Sequence, residues 1–207
     1  YVHFPGVGTT ELDGSLDVEH TLTVSAWIYP YESGNGIGRT IVAKRNFGGP
    51  GNFMLFLTPE AEENQGKLAF WWGSQNDPVI SNYVPEVNKW THIAVTHDPG
   101  PGSVILYADG VNVYSAVNIY DLDPYNSHNF YIGGNDLYDE FFSGKIDEVT
   151  IWNQTFSEEE ISQKLIAPGQ ISPELEENLL AYWDFNNAPG DELIDLGSQN
   201  INGTIYG

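Results

Sequence analysis

The stretch that decides the fold is Gly144-Lys-Ile-Asp-Glu-Val-Thr-Ile-Trp-Asn153, which is followed by Ser157-Glu-Glu-Glu-Ile161. Its first part is rich in β-branched and apolar residues and predicts a buried strand. In the second part Ser157 stands three residues before Glu160, which is the spacing of a capping box and predicts a helix over residues 158–165. A strand followed by one short helix is therefore expected near the C-terminal end of the chain.

Further strand patterns, bounded by Gly, Pro, Asn and Asp, recur on both sides of this stretch. The Asp109-Gly110 pair between two such patterns is a strong hairpin signal. About ten antiparallel strands with one short helix predict an all-β, two-sheet antiparallel jelly-roll sandwich, folded as a single domain over residues 1–207. The predicted strands are 21–30, 40–44, 53–58, 67–72, 90–97, 104–108, 111–114, 130–133, 145–152, 179–185 and 203–206.

Composition excludes several partners and chemistries. The net charge of −22, from 29 acidic against 7 basic residues, argues against nucleic acid and anionic membranes as partners. There is no cysteine, so disulfides and thiolate sites are excluded, and no apolar run is long enough for membrane insertion. The chain starts on Tyr1 without a signal-peptide pattern, so we expect a mature fragment or a module of a longer protein.

The stretch 144–153 with 157–161 resembles the G-x-I-D-E-V-R-I-W-N…S-x-E-E-I signature of concanavalin A-like laminin-G/pentraxin domains. Four other segments resemble the same family in the same order, namely 22–28, 89–98, 106–111 and 180–203. Residues 1–5 resemble a segment that follows a strand ending in Phe-Asp-Gly in this family. That preceding strand is missing or cut off in this sequence, so any metal ligand that it supplies cannot be assigned.

The resemblance implies a calcium-dependent carbohydrate-binding, lectin-like module of a large secreted or cell-surface protein. Its partner would be an extracellular or cell-surface glycan, and other modules of the same long chain are further candidate partners. The expected role is adhesion or glycan recognition. The alternative is a non-catalytic structural or protein-binding module of an adhesin, in which calcium only stabilises the fold.

Asp147 is the first candidate calcium ligand, because it is a carboxylate in the middle of an apolar strand. Such a residue costs several kcal/mol if it is buried without a partner. The resemblance implies a calcium ligand in this strand, and Asp195 is then a weaker co-ligand. The alternatives stay open: Asp147 could be a structural residue or face solvent with Glu148 inward, and Asp195 could form a plain Asx-turn.

A second candidate calcium site is the acidic loop between two predicted strands. Calcium takes about six to eight oxygen ligands, and the loop offers an amide and three carboxylates within six residues. The resemblance implies a ligand-bridging calcium here and a second contribution from the loop 46–52. The alternative is a solvated acidic loop. The residues concerned are Asn135, Asp136, Asp139 and Glu140 in the acidic loop, with Asn46 and Asn52 in the other.

Trp71 is the candidate stacking surface for a sugar ring. Strand alternation places Leu68, Phe70 and Trp72 on one face and Trp71 on the other. An exposed indole stacks on the apolar face of a sugar, and the alternative is that Trp71 is a packing residue covered by a loop. Nearby polar candidates are Asn76, Asp77, Asn82 and Tyr83, and the tryptophans interpreted as structural are Trp27, Trp90, Trp152 and Trp183.

Catalysis is not expected. Retaining glycosidases need two carboxyl groups about 5 to 5.5 Å apart. In laminarinase-type enzymes they appear as Glu-x-Asp-x-x-Glu on one strand, and here Lys145 and Thr150 occupy the two Glu positions. A polysaccharide-active enzyme is the remote alternative.

Overall fold

The computed structural model describes residues 2–4, 21–32, 39–44, 52–59, 65–73, 77–117, 129–134, 139–167, 171, 177–186, 190–197 and 200–206. The described residues form fourteen strands and one helical segment. The strands are β1 Val2–Phe4, β2 Leu22–Pro30, β3 Arg39–Lys44, β4 Phe53–Leu57, β5 Leu68–Trp72, β6 Val79–Ile80, β7 Thr91–Asp98, β8 Ser103–Ala108, β9 Val111–Val117, β10 Phe130–Ile132, β11 Gly144–Trp152, β12 Leu179–Trp183, β13 Glu192–Leu193 and β14 Gly203–Ile205.

The strands form two sheets, and every pairing of neighbouring strands is antiparallel. The large sheet has the order β13-β14-β1-β10-β3-β4-β5-β6, and the small sheet has the order β12-β11-β2-β7-β8-β9. Alternate residues of both sheets face each other and form one apolar core that includes Val24, Leu55, Phe70, Val95 and Trp183. The predicted two-sheet sandwich is confirmed.

Three strands were not predicted from the sequence: β1, β6 and β13, each of two or three residues. Strands this short carry too few residues for alternation to be visible, and they are recognised only by their pairing with neighbouring strands. β1 lies between β10 and β14, so the two ends of the described chain meet in the large sheet.

The predicted helix is present and keeps its capping box. The Ser157 backbone N–H donates to the Glu160 carboxylate at 2.7 Å, and the Glu160 N–H donates to the Ser157 hydroxyl at 3.3 Å. The helix, α1, begins with one α-helical turn over Glu158–Glu160 and continues as π-helix over Ile161–Leu165. Ile161 and Leu165 are its buried residues, and they face the small sheet.

Helix α1 covers part of the outer face of the small sheet. There Ile161 and Leu165 pack with outward side chains of the sheet into a second apolar cluster. Its other members include Ala94, Tyr107, Trp152, Phe156, Leu179 and Tyr182. The candidate site described below lies on another part of this face and meets the cluster at Tyr182, which bonds to Glu148.

Candidate functional site

A pocket of about 320 Å³ opens beside the part of the small sheet that the α1 cluster leaves uncovered. It is lined by Trp27, Trp90, Asp147 and Glu148. Aromatic walls with two carboxylates are a combination that can hold a polar ligand with an apolar face. We take this pocket as the candidate functional site.

Strand register brings the lining residues together. Ala26 and Ile28 of β2 point into the core, so Trp27 between them points outward. Asp147 of β11 lies directly opposite Trp27 on one side, and His92 of β7 lies opposite it on the other. Side chains directly opposite each other on antiparallel strands are close neighbours, so these three form a row across the outer face.

Glu148 reaches the same face through a β-bulge. The register of β11 against β2 shifts between Asp147 and Thr150, and Glu148 has φ of +50°. The Glu148 backbone N–H donates to Asp147 Oδ1 at 2.9 Å, and the Tyr182 hydroxyl donates to Glu148 Oε2. Two consecutive carboxylates therefore line one pocket, which regular alternation does not allow. The structure thus places Asp147 outward and does not place Glu148 inward.

The pocket is electronegative. Burial raises the pKa of Asp147, and the Glu148 and Asp184 carboxylates raise it further, against the lowering effect of the Glu148 N–H. Burial and the hydrogen bond to Glu148 also raise the pKa of Tyr182, with added contributions from Asp184 and Asp147. The tyrosine therefore stays protonated and donates to the carboxylate.

Aromatic rings continue from the pocket to its rim. Trp90, just before β7, is 38% exposed and packs edge-on against Tyr29 with ring centroids 5.5 Å apart. Tyr29 in turn meets Tyr31, which is 51% exposed, at 5.9 Å. The Lys145 ammonium lies 5.4 Å from the centre of the Tyr29 ring. The rim thus offers partly exposed rings for stacking.

His92 lies beneath the pocket wall. It is fully buried and packs edge-on against Trp27 with ring centroids 5.5 Å apart. Neither of its ring nitrogens nor Trp27 Nε1 has a hydrogen-bond partner among the described residues. Burial lowers the pKa of His92 to about 4. The imidazole is therefore neutral at pH 7 and supports the indole by packing.

Replacing His92 with phenylalanine is expected to remove part of the acid sensitivity of the fold. The His92 pKa lies below its ordinary 6.5, so its contribution to stability is full above pH 6.5 and is lost as the pH falls to about 4. The loss amounts to about 3 kcal/mol, or roughly 6–12 °C in Tm. Thermal melts of the wild type and H92F between pH 7 and pH 4 measure it. Parallel curves for the wild type and H92F would contradict the argument.

Asp195 is held by the backbone. Its side chain is nearly buried and accepts N–H bonds from Tyr182, Gly197 and Ile201 at 2.7–2.9 Å. Burial raises its pKa, and these three bonds act in the opposite direction. The bond from Gly197, two residues on, forms the Asx-turn of the alternative interpretation. Both carboxylate oxygens therefore accept backbone hydrogen bonds that stabilise the fold around them.

The acidic loop is described only in part. Asn135 and Asp136 lie outside the described residues, whereas Asp139 is exposed and Glu140 is half-buried. Glu140 Oε2 accepts a long hydrogen bond of 3.4 Å from the Thr40 hydroxyl. Within the described ranges, no group of three or more Asp, Glu or His side chains is arranged to hold a metal ion. The calcium site stays a prediction.

None of the described residues that the sequence predicts as sugar contacts lines the pocket. Trp71 is half-buried on the outer face of the large sheet, against a cluster of Ala43, Met54, Phe56 and Ala69. Asp77 and Asn82 are exposed, and Tyr83 packs on the edge of the core. Asn52 is fully buried, so a ligand contact would require that side chain to become exposed. Asn46 and Asn76 lie outside the described residues.

Two tryptophans that the sequence interpretation assigned to the core line the pocket. Trp27 is half-buried and Trp90 is partly exposed, while Trp152 and Trp183 are fully buried as expected. Alternation in β2 already places Trp27 opposite the core residues, which is the signal that could have identified it. Trp90 stands outside β7, because the strand begins at Thr91 and not at residue 90.

Comparison with known proteins gives a family and several structural neighbours. A model described as the concanavalin A-like lectin/glucanases superfamily matches residues 6–162. No curated protein sequence matches the chain. A candidate carbohydrate binding protein from Bacteroides ovatus has a TM-score of 0.71 at 22% identity, covering 91% of this chain and 52% of its own. The chain thus spans about half the length of that protein.

Two further solved structures share the fold. A heptameric SAP-like pentraxin from Limulus polyphemus has a TM-score of 0.61 at 14% identity, covering 91% of this chain and 84% of its own. The CBM40 module of the Ruminococcus gnavus IT-sialidase, bound to α2,6-sialyllactose, has a TM-score of 0.56 at 13% identity. That match covers 80% of this chain and 94% of the module. At identities this low, the structural similarity shows a shared fold and nothing about function.

Among the described helical residues, no helix has the length and apolar character that a membrane crossing requires.

Proposed function

The chain belongs to the concanavalin A-like lectin/glucanase superfamily, and from that premise we propose that it is a carbohydrate-binding module whose site is the pocket beside Trp27 and Trp90. The observation that carries the proposal is the pocket itself. Partly exposed indoles and two hydrogen-bond-accepting carboxylates line the same opening. A sugar ring has an apolar C–H face and a hydroxyl edge, and the pocket offers a complement to each.

The size of the pocket supports this proposal. Its volume of about 320 Å³ lies at the lower end of the range of roughly 300–1,000 Å³ that is usual for small-molecule sites. One or two sugar rings are the expected occupants, with the remaining rings of a glycan running along Tyr29 and Tyr31. Affinity for a single ring would be modest, so we expect repeated contacts on one glycan to matter.

We propose that the module binds without cleaving. Thr150, at one position where a glucanase strand would carry a carboxylate, bonds to Ser25 at 2.7 Å and accepts a bond from Trp152 Nε1. Lys145, at the other position, is a cation above Tyr29. The test is to incubate the protein with every oligosaccharide that it binds and to analyse the products by mass spectrometry. New, shorter fragments would overturn this part of the proposal.

The experiment that tests the binding proposal is a glycan array, probed once in millimolar calcium and once in chelator. Discrete hits would support a carbohydrate-binding module, and hits that disappear in chelator would add calcium dependence. The absence of hits in both buffers would overturn the proposal in favour of a structural or protein-binding module. We further propose an extracellular or cell-surface setting, in glycan recognition or adhesion, where extended glycans are available.

Calcium is the cofactor that we propose, with Asp139 and Glu140 among the ligands on the acidic loop. The residues suit it in chemistry, since both offer carboxylate oxygens and stand within the same six residues of sequence as Asn135 and Asp136, which offer an amide and a carboxylate. Calcium bound there would neutralise part of the loop's charge and hold its backbone. Asp147 and Asp195, the other predicted ligands, have the partners described above.

Adding calcium is expected to raise the Tm by roughly 5–10 °C at 100 times the Kd, which corresponds to about 2.7 kcal/mol. In Asp139→Asn the rise should be clearly smaller, because one charged oxygen ligand is replaced by a neutral amide. Asparagine also tolerates the left-handed backbone at this position, where φ is +55°. Scanning calorimetry with calcium and with chelator measures the shift, and exposed Asp191→Asn is the control. An equal shift in D139N would remove this loop from the site.

A further inference from the structure

We infer that the pocket selects saccharides without negative charge and excludes sialic acid and uronic acid residues. This inference rests on the proposed function and narrows its ligand class. It is not a property of the fold, because the structurally similar CBM40 module is bound to the acidic sugar sialyllactose. It follows from the charges around this particular pocket.

The pocket wall carries negative charge. Asp147 and Glu148 both line it, and the Asp184 carboxylate is close enough to act on Asp147 electrostatically. Burial is the main cause that raises the pKa of Asp147, and the Glu148 and Asp184 carboxylates raise it further. A ligand carboxylate entering here would add to this repulsion.

The nearby basic side chains do not offset this negative charge inside the pocket. An acidic sugar is held by a guanidinium or ammonium group that pairs with its carboxylate. Lys145 is the basic residue on the strand that carries Asp147, and its ammonium lies over the Tyr29 ring at the rim. Lys89, the basic residue beside Trp90 in sequence, is paired with Glu86 at 3.0 Å. No described Lys or Arg side chain lines the pocket.

The two carboxylates can bind a neutral sugar through hydrogen bonds. Carboxylate oxygens accept hydrogen bonds only, and sugar hydroxyls can donate them. Charge-assisted bonds of this kind are stronger than neutral ones. The same two side chains therefore attract a neutral sugar and repel an acidic one, and this difference in affinity is specificity.

The test uses matched pairs of oligosaccharides that differ by one acidic residue, such as lactose and sialyllactose. Titration calorimetry gives the ratio of their Kd values for the wild type in low salt and in about 1 M salt, where the screening length is about 3 Å. We expect the neutral member to bind at least roughly 10-fold more tightly in low salt. High salt and Glu148→Gln should each reduce this ratio, and exposed Asp191→Asn should leave it unchanged.

The outcomes separate the inference from the function on which it rests. Equal or tighter binding of the acidic members overturns the charge selectivity and leaves the carbohydrate-binding module standing. A preference for neutral members that E148Q does not reduce also overturns it, because the selectivity would then come from shape. If no neutral or acidic saccharide binds, the proposed function fails and the inference fails with it.

Discussion

Replacing Trp90 with alanine is expected to weaken glycan binding by roughly 10- to 100-fold and to leave the Tm within a few degrees of the wild type. The indole is 38% exposed at the pocket and precedes β7, so its removal takes away a stacking surface without opening the core. Covering an aromatic side chain contributes about 1.5–3 kcal/mol, and each 1.4 kcal/mol is a tenfold change in Kd. Titration calorimetry on any glycan found to bind measures the effect.

Trp71→Ala is the matched comparison for this experiment. Trp71 is the tryptophan that strand alternation suggested as a stacking surface, and it lies on the outer face of the other sheet. If the pocket is the site, W71A binds like the wild type, after correction for any loss of folded protein. Loss of binding in W71A with full binding in W90A would move the site to the large sheet.

Replacing Asp195 with alanine is expected to destabilise the protein by about 4 kcal/mol, or roughly 8–16 °C in Tm. The substitution leaves the N–H groups of Tyr182, Gly197 and Ile201 without their acceptor. A polar group left unpaired in the interior costs about 1–3 kcal/mol. Two of these three bonds are buried, so the individual losses should add to a large one.

The same variant distinguishes a structural Asp195 from a calcium ligand. A structural role predicts that the Tm difference between D195A and the wild type is equal in calcium and in chelator. A ligand role predicts that the difference is much larger in calcium. Urea unfolding in both buffers gives the free energies, and exposed Asp191→Ala serves as the control for a lost surface charge. A change below about 1 kcal/mol in both buffers would refute both roles.

The fold could be predicted because its signals are local. Alternation in β2, β7 and β11 is long enough to define an inner face, and the capping box at Ser157 marks the helix start. Strands β1, β6 and β13 gave no such signal, because they are too short to show alternation and are defined only by their pairing with a neighbouring strand.

The site could be predicted only in part, for a non-local reason. Asp147 was identified as an unusual strand carboxylate, and Trp27 falls on its face by simple alternation. Whether that face is core or surface depends on how far α1 extends over the sheet, which the sequence of β2 does not contain. The bulge at Glu148 leaves one trace in the sequence, a three-residue interval between the core residues Ile146 and Val149, and the pairing of β11 with β2 shows that this interval is a bulge.

The bulge makes Glu148 an inserted residue. Without it, Lys145-Ile-Asp would continue directly into Val149-Thr-Ile-Trp, a perfectly alternating strand that leaves Ile146 and Val149 in the core and Asp147 outside. An in-frame deletion of one codon would therefore remove the carboxylate that Tyr182 contacts while sparing every other pairing of the strand. Loss or gain of this single codon would change the charge of the pocket and therefore its ligand preference. Sequence comparisons that consider only substitutions would overlook such a change.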